Sequence, residues 1–286
     1  MNRRIFALLA AALLVLSVSG CAKKAAAQEQ AQTDLLATTQ PVYQMANALT
    51  DGTGLTVSLL ISEPVSCLHD YTLTVAQMEK IEGAKLVLES GLGLEDFMDD
   101  ALSGKARIAV SSTVSTLEGE EGTDPHWWLD PTRFREAARL TAQELGSRYP
   151  EFSDQIAENF AAFDKKLAEL QDYGNEALKT LSCRELVTFH DGFSYFADAF
   201  GLTIAAAMEV ESGSEPSAKE LEAIIRLVEE SKIPAVFTET NGETGSAQVV
   251  AGEAGCKAFA LDMAISSEDY FAAMRKNINT IKEALG

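Results

Sequence analysis

The chain has 286 residues, 47% of them hydrophobic, and a formal net charge of −20 at neutral pH. This length is sufficient for two domains of ordinary size, each with a hydrophobic core. The negative charge argues against nucleic acid as a partner, since it would repel the phosphates, and it would instead concentrate cations near the surface.

The N-terminus is predicted to be an export signal. Residues 1–20 combine two arginines with the apolar run Ile5–Leu16, which is too short to span a bilayer comfortably. Two small residues directly before Cys21 resemble a bacterial lipoprotein cleavage site, so Cys21 is the predicted lipidated N-terminus. An ordinary secretory signal with a chance cysteine is the alternative. Lipid chains on Cys21 would hold the protein at the extracytoplasmic face of a membrane without spanning it.

A flexible tether is predicted to follow, because residues 21–33 are small and polar without apolar periodicity. From there strands alternate with helices. The predicted strands of the first half are Asp34–Thr38, Leu55–Ile61, Lys85–Leu88 and Ala106–Val110. The intervening helices begin near Pro41, Thr74 and Glu95, and a fourth starts at Pro131. In the second of these helices, Val75, Met78 and Ile81 are expected to form one apolar stripe.

A long helix is predicted over residues 152–181, where apolar residues recur at helical spacing. At 1.5 Å per residue it would span roughly 40 Å, a length suited to a strut between two domains. The strand–helix alternation then resumes. The predicted strands of the second half are Leu186–Phe189, Leu202–Met208, Pro234–Thr238 and Lys257–Leu261.

This order of elements predicts an α/β protein with two lobes, each a mainly parallel sheet flanked by helices. The N-terminal lobe would comprise residues 34–150 and the C-terminal lobe residues 182–286. Residues 151–181 would form one long rigid backbone helix that joins them.

The sequence uses histidine three times, and each histidine stands just after a predicted strand or loop and just before a predicted helix. These residues are His69, His126 and His190. Ligands of parallel sheets bind at the carboxyl ends of the strands, so the three imidazoles are predicted to meet at the crevice between the lobes. Asp262 ends the last predicted strand and is the expected fourth ligand, with Glu239 as the second-choice carboxylate. Three imidazoles and one carboxylate suit Zn²⁺ and are acceptable to Mn²⁺.

Several motifs, in this order, resemble those of the zinc/manganese-type substrate-binding proteins of ABC importers (the ZnuA/TroA type, cluster A-I solute-binding proteins). The resemblance covers nearly all of the chain after the tether. Its marks are His69-Asp-Tyr71, Gly91-Leu-Gly-Leu-Glu95, Asp124-Pro-His-Trp-Trp-Leu-Asp-Pro131, Thr188–Phe196 and Glu215-Pro-Ser217. The stretch Leu117–Thr123 departs from many zinc-type members, which carry a long histidine-rich loop before the second ligand.

The resemblance implies that His69, His126, His190 and Asp262 are the metal ligands. It also implies a monomeric receptor that carries its ion to a membrane permease with an associated ATPase. The long helix would limit lobe motion, so release would come from modest loop shifts. The third histidine, where some members have glutamate, favours zinc over manganese.

Three other interpretations remain open at this point. A manganese receptor of the same type is the first. A metallohydrolase would need an open coordination position and a nearby general base, neither of which the sequence indicates. An adhesin or structural lipoprotein with an incidental metal is the third. The pairing of Cys67, Cys183 and Cys256 also stays open, because three cysteines cannot all pair within one chain.

Overall fold

The computed structural model describes residues 33–63, 68, 71–119, 122–208, 216–242 and 244–286, which together form one compact unit from Thr33 to Gly286. The predicted export signal, Cys21, residues 22–32 of the predicted tether and His69 lie outside the described residues, whereas Thr33, predicted as the last tether residue, begins the first strand. Among the residues that are described, no helix is both long enough and apolar enough to cross a membrane.

The first half of the chain forms a parallel four-stranded sheet in the order β2-β1-β3-β4. Leu35, Leu36, Val87 and Leu88 on the two central strands have no exposed surface, as expected for a sheet covered on both faces. The strands are β1 (Thr33–Ala37), β2 (Val57–Leu59), β3 (Ala84–Glu89) and β4 (Arg107–Ala109), and the helices are α1 (Gln40–Thr50), α2 (Val75–Gly83) and α3 (Asp99–Leu102).

A connecting segment follows, and it contains a short antiparallel hairpin that the sequence analysis did not predict. Its elements are β5 (Glu118–Gly119), β6 (Gly122–Thr123), a 3₁₀ turn (Trp127–Leu129), α4 (Pro131–Arg148) and α5 (Ser153–Ala177). Helix α4 begins at Pro131 as predicted. Asp130 caps it by accepting hydrogen bonds from the backbone N–H groups of Thr132 and Arg133.

The second half forms another parallel four-stranded sheet, in the order β10-β9-β7-β8. The elements are β7 (Glu185–Thr188), α6 (Ser194–Phe200), β8 (Thr203–Ala207), α7 (Ala218–Ser231), β9 (Ala235–Glu239), α8 (Gly245–Ala254), β10 (Lys257–Leu261) and α9 (Tyr270–Leu285). Two parallel sheets flanked by helices confirm the predicted fold class.

The predicted long helix is present as α5, although it ends at Ala177 rather than Leu181. It packs against α4 and α1 from the first half and against α9 and α6 from the second. Its buried side is formed by Ile156, Phe163, Leu167, Leu170 and Gly174. A Cβ atom on Gly174 would lie 2.1 Å from the Phe200 ring, so the absence of a side chain there lets α6 approach the long helix closely.

One hydrophobic core runs through both halves of the molecule. Phe134 on α4 packs edge-to-face against Phe163 of α5 and Tyr270 of α9, with ring centroids 5.6 and 4.7 Å apart. A second, smaller cluster around Val187, Val236 and Val250 covers the other face of the second sheet. The sheets are therefore not separated by a polar boundary at this junction.

The prediction of an apolar stripe on α2 is wrong. Ile81 is buried, but Val75 is 77% exposed and Met78 is 45% exposed. Gln77 takes the inward position instead, because its amide donates hydrogen bonds to the Leu60 carbonyl and the Tyr71 hydroxyl. Gln77 also completes a capping box with Thr74. The polar contacts at the N-terminus of α2, rather than its apolar residues, therefore set which side of the helix faces the core.

A buried carboxylate, Glu95, joins the ends of β1 and β3. It accepts hydrogen bonds from the Thr38 hydroxyl and from the backbone N–H groups of Ser90 and Gly91, at 2.7 to 2.9 Å. Burial nevertheless raises its pKa to about 7, since removing the charge from water outweighs these bonds.

This shift predicts a pH dependence of folding. An acid whose folded-state pKa is raised stabilises the fold most below its unfolded pKa, and the contribution is lost as pH rises toward 7. A shift of this size corresponds to roughly 3 kcal/mol. Part of this is already lost at pH 5, so we expect the free energy of unfolding to fall by about 2 to 3 kcal/mol more between pH 5 and 8 in the parent than in Glu95→Gln, measured by urea denaturation.

The exposed substitution Glu144→Gln on α4 is the control and should follow the parent at both pH values. Equal pH dependence in the parent and Glu95→Gln would contradict the prediction.

Candidate metal site

His126 is held in one orientation by a neighbouring carboxylate. The residue is 7% exposed, and its Nδ1 lies 2.8 Å from Asp124 Oδ1. The same oxygen accepts the backbone N–H of His126 at 2.9 Å. A carboxylate oxygen at this distance favours the tautomer with the ring proton on Nδ1, which leaves the lone pair on Nε2 for a metal ion.

Two fully buried tryptophans stand beside His126. The Trp128 ring packs edge-to-face on the imidazole with centroids 5.4 Å apart. Its indole N–H donates to the Met263 carbonyl at 2.8 Å, and the Trp127 indole N–H donates to the Ser90 carbonyl at 3.2 Å. The tryptophans therefore connect the His126 turn with the loop after β10 and with the end of β3.

His190 comes from the second half, in the loop after β7. Its ring centroid is 5.4 Å from that of His126, so the two halves bring these imidazoles together as predicted. His190 Nδ1 lies 3.8 Å from Glu239 Oε2. Gly192 makes this arrangement possible, because a Cβ atom there would lie 2.8 Å from the imidazole and 2.5 Å from Met263.

The two candidate carboxylates are adjacent at the ends of neighbouring strands. Glu239 ends β9 opposite Leu261 of β10, and Asp262 follows. Burial, with the nearby charge of Asp262, raises the pKa of Glu239 to about 8. Both oxygens of Asp262 are hydrogen bonded, to the Ala264 backbone N–H and the Ser267 hydroxyl at 2.8 Å.

A side-chain amide fixes the backbone of Asp262. Asn277 on α9 is buried, and it accepts the Asp262 backbone N–H at 2.8 Å and donates to the Asp262 carbonyl at 2.7 Å. Asp262 lies beyond the end of an edge strand, where these two backbone groups have no neighbouring strand to pair with.

A cleft of about 450 Å³ opens onto the two histidines. Its described walls come from the turn residues Leu92–Leu94, Asp96 and Phe97, the hairpin residues Gly119, Gly122 and Thr123, and the residues Asp124–His126 and His190–Asp191. Asp262 and Glu239 are not among these described wall residues. The cleft is thus bounded by both halves of the chain, with the imidazoles at its surface.

The predicted ligands are only partly brought together within the described ranges. His126, His190 and Glu239 form one contiguous group, and Asp262 stands next to Glu239. His69 lies outside those ranges. No three His, Cys, Asp or Glu side chains among the described residues are arranged as a metal site. The four-ligand set stays a prediction.

Two residues of this region were not predicted to have their observed roles: Asp124 and Asn277. Only Asp124 carried a local signal, since a carboxylate two residues before a histidine can bond back to its backbone and ring. Asn277 lies 15 residues from Asp262, and no pattern in the sequence connects them.

Two of the cysteines in question are free thiols. Cys183 and Cys256 are both partly buried and neither forms a disulfide bond. They precede β7 and β10, which are separated in the sheet by β9. Burial raises the pKa of the Cys256 thiol. Cys67 lies outside the described residues.

A known protein family matches most of the chain. The family described as "Zinc-uptake complex component A periplasmic" matches residues 35–284. The chain is 28% identical over 243 residues to the high-affinity zinc uptake system protein ZnuA of Haemophilus ducreyi, covering 73% of this chain and 77% of that relative. It is 25% identical over 232 residues to the manganese-binding lipoprotein MntA of Halalkalibacterium halodurans, covering 76% and 77%.

Two further comparisons extend this result. The chain is 27% identical over 288 residues to the zinc-binding protein AdcA of Streptococcus pyogenes serotype M3 (87% of this chain), but it spans only 55% of that longer relative. A crystal structure of ZnuA superimposes with a TM-score of 0.80 at 29% identity, covering 88% of this chain and 98% of that structure.

Proposed function

The chain belongs to the family of zinc-uptake complex component A, and from this premise we propose that it is an extracytoplasmic receptor for a divalent metal ion, zinc in the first instance. The observation that carries the proposal is the pair His126 and His190. Their rings come from different halves of the chain and meet at one cleft, and each has a carboxylate on its Nδ1 side.

The proposed ligands are His69, His126, His190 and Asp262. In this arrangement Asp124 and Glu239 are not ligands. Asp124 orients the ring of His126, as carboxylates behind metal-bound imidazoles commonly do. Glu239 lies on the Nδ1 side of His190, 3.8 Å away. This placement supports Asp262 over Glu239 as the fourth ligand. A set of three nitrogens and one oxygen suits tetrahedral Zn²⁺.

Manganese is the second candidate ion, supported by the relative named as a manganese-binding lipoprotein. Mn²⁺ prefers oxygen ligands, so a site with three imidazoles would hold it less tightly than Zn²⁺. The proposed action is transport, not catalysis. The receptor, a monomer anchored through a lipid on Cys21, would deliver its ion to an ABC-type permease driven by an ATPase.

Metal titration tests the proposal. The purified protein is stripped with a chelator and titrated with Zn²⁺ and Mn²⁺, separately and in competition, while elemental analysis measures the bound metal. We expect one Zn²⁺ per chain, bound far more tightly than Mn²⁺, and no hydrolysis of ester or phosphoester substrates by the loaded protein. Zinc binding that is weak or not stoichiometric would contradict the receptor, and zinc-dependent hydrolysis would favour the metallohydrolase.

A further inference from the structure

The base of the β5–β6 hairpin contains a hydroxyl group from another part of the chain. The register pairs Glu118 with Thr123, so Leu117 and Asp124 form the next pair toward the base. One direct hydrogen bond joins them, from the Asp124 backbone N–H to the Leu117 carbonyl at 2.9 Å.

The second connection at this pair runs through Tyr195. The Leu117 backbone N–H donates to the Tyr195 hydroxyl at 3.0 Å, and that hydroxyl donates to the Asp124 carbonyl at 2.9 Å. In an uninterrupted antiparallel pair the N–H would donate to the carbonyl directly. The hydroxyl is therefore inserted into the ladder, and it holds the two backbone groups farther apart than a direct bond would.

The position of this hydroxyl is set by the second half of the chain. Tyr195 lies on α6, which follows the His190 loop, and it has no exposed surface. The Arg133 guanidinium lies 5.0 Å from the centre of its ring and donates to Asp198 of the same helix at 2.7 Å. The ring is thus enclosed by its own helix and by the start of α4.

We propose that Tyr195 is a positioning residue for metal binding, whose hydroxyl sets the backbone of Asp124 and so the carboxylate that orients His126. The inference rests on the proposed function. The chain of contacts is short: the hydroxyl bonds the Asp124 carbonyl, and Asp124 Oδ1 bonds both the backbone and the ring of His126. In Tyr195→Phe the Leu117 N–H and the Asp124 carbonyl can bond to each other directly. This rotates Asp124, and the His126 ring is no longer held in one tautomer.

The test compares Tyr195→Phe with Tyr270→Phe. Tyr270 is equally buried, and its hydroxyl donates to a backbone carbonyl of the same motif, that of Trp128 at 2.7 Å, without contacting Asp124. We expect Tyr195→Phe to bind Zn²⁺ at least about tenfold more weakly, the usual lower limit for losing a group that orients a metal-bound histidine. Tyr270→Phe should stay within about threefold of the parent, although both variants lose a buried hydrogen bond.

A double-mutant cycle asks whether the effect passes through Asp124. In the Asp124→Asn background, Tyr195→Phe should cause little further loss of zinc affinity, since the carboxylate that it positions is already gone. An equal loss in both backgrounds would overturn the inference, as would equal affinities for Tyr195→Phe and Tyr270→Phe.

A second measurement needs no metal. The chain has three histidines, so the ¹⁵N spectrum of the histidine-labelled apoprotein contains three pairs of ring-nitrogen signals, Nδ1 and Nε2 of each imidazole. These signals are recorded at a pH where the rings are neutral. The parent should show His126 with its proton on Nδ1, and Tyr195→Phe should show a mixture of tautomers. An unchanged tautomer would overturn the inference. If the parent protein itself binds no zinc, the proposed function is wrong. The titration of the parent alone shows this, so the two failures can be distinguished.

Discussion

Replacing His126 with alanine is expected to weaken zinc binding by at least about a hundredfold. A four-ligand zinc site is worth roughly 12 kcal/mol, so that one ligand in four contributes about 3 kcal/mol. The loss at His126 should reach this value, because its ring is already held in the binding tautomer by Asp124 and is shielded from water by Trp128. Alanine provides neither a lone pair nor the aromatic contact.

Competition with a chelator of known zinc affinity measures the change. Both tryptophans of the chain stand beside His126, so intrinsic fluorescence offers a second signal for binding. Thr123→Ala, which alters the same cleft wall without removing a proposed ligand, is the matched control and should bind like the parent. Thermal unfolding of the apoprotein checks that the fold is intact. A folded His126→Ala protein with parental zinc affinity would show that the site lies elsewhere.

The second large effect is expected at Asp262 and concerns the choice of metal. Asp262→Asn keeps the shape of the side chain and an acceptor for the Ala264 N–H, but it removes the negative charge. We expect Mn²⁺ affinity to fall by more than Zn²⁺ affinity, because three imidazoles still suit zinc whereas manganese depends on its oxygen ligand. The ratio of the two affinities should therefore move toward zinc by about tenfold or more, since each factor of ten corresponds to only about 1.4 kcal/mol.

Glu239→Gln is the comparison for this experiment. If Glu239 orients His190 from its Nδ1 side, this variant should lose affinity for both ions by similar factors and leave their ratio unchanged. A shift in the ratio that is larger for Glu239→Gln than for Asp262→Asn would make Glu239 the carboxylate ligand. Titrations with each ion under identical conditions supply the two ratios.

Elements with a strong local sequence signal could be predicted from the sequence. The strand Lys257–Leu261 was predicted with its observed bounds, and the helix start at Pro131 was correct. The predicted strand Leu55–Ile61 is shorter in the structure, where Val57–Leu59 pairs with Leu35–Ala37 of β1. The sequence pattern of one segment does not show how many residues of its neighbour will pair with it.

The meeting of His126 and His190 was predicted because parallel strands place their carboxyl ends on one side of a sheet. The contacts that orient these histidines were not predictable in the same way. Tyr195 reads as one aromatic residue of an apolar helix, and its hydroxyl gains a role only when α6 packs beside Leu117 and Asp124. Likewise, the spacing of Val75 and Met78 predicts an inward apolar stripe on α2, but the hydrogen bonds of Gln77 turn that residue inward instead.

The hydrophobic core shared by the two sheets has a thermodynamic consequence. Phe134, Phe163 and Tyr270 join elements from both halves, so one half cannot unfold without exposing aromatic surface of the other. The halves should therefore melt in one cooperative transition, with equal calorimetric and van't Hoff enthalpies. Binding of an ion between His126 and His190 is then linked to the unfolding of the entire domain. A free ion concentration a hundredfold above Kd would raise the free energy of unfolding of both sheets together by about 2.7 kcal/mol.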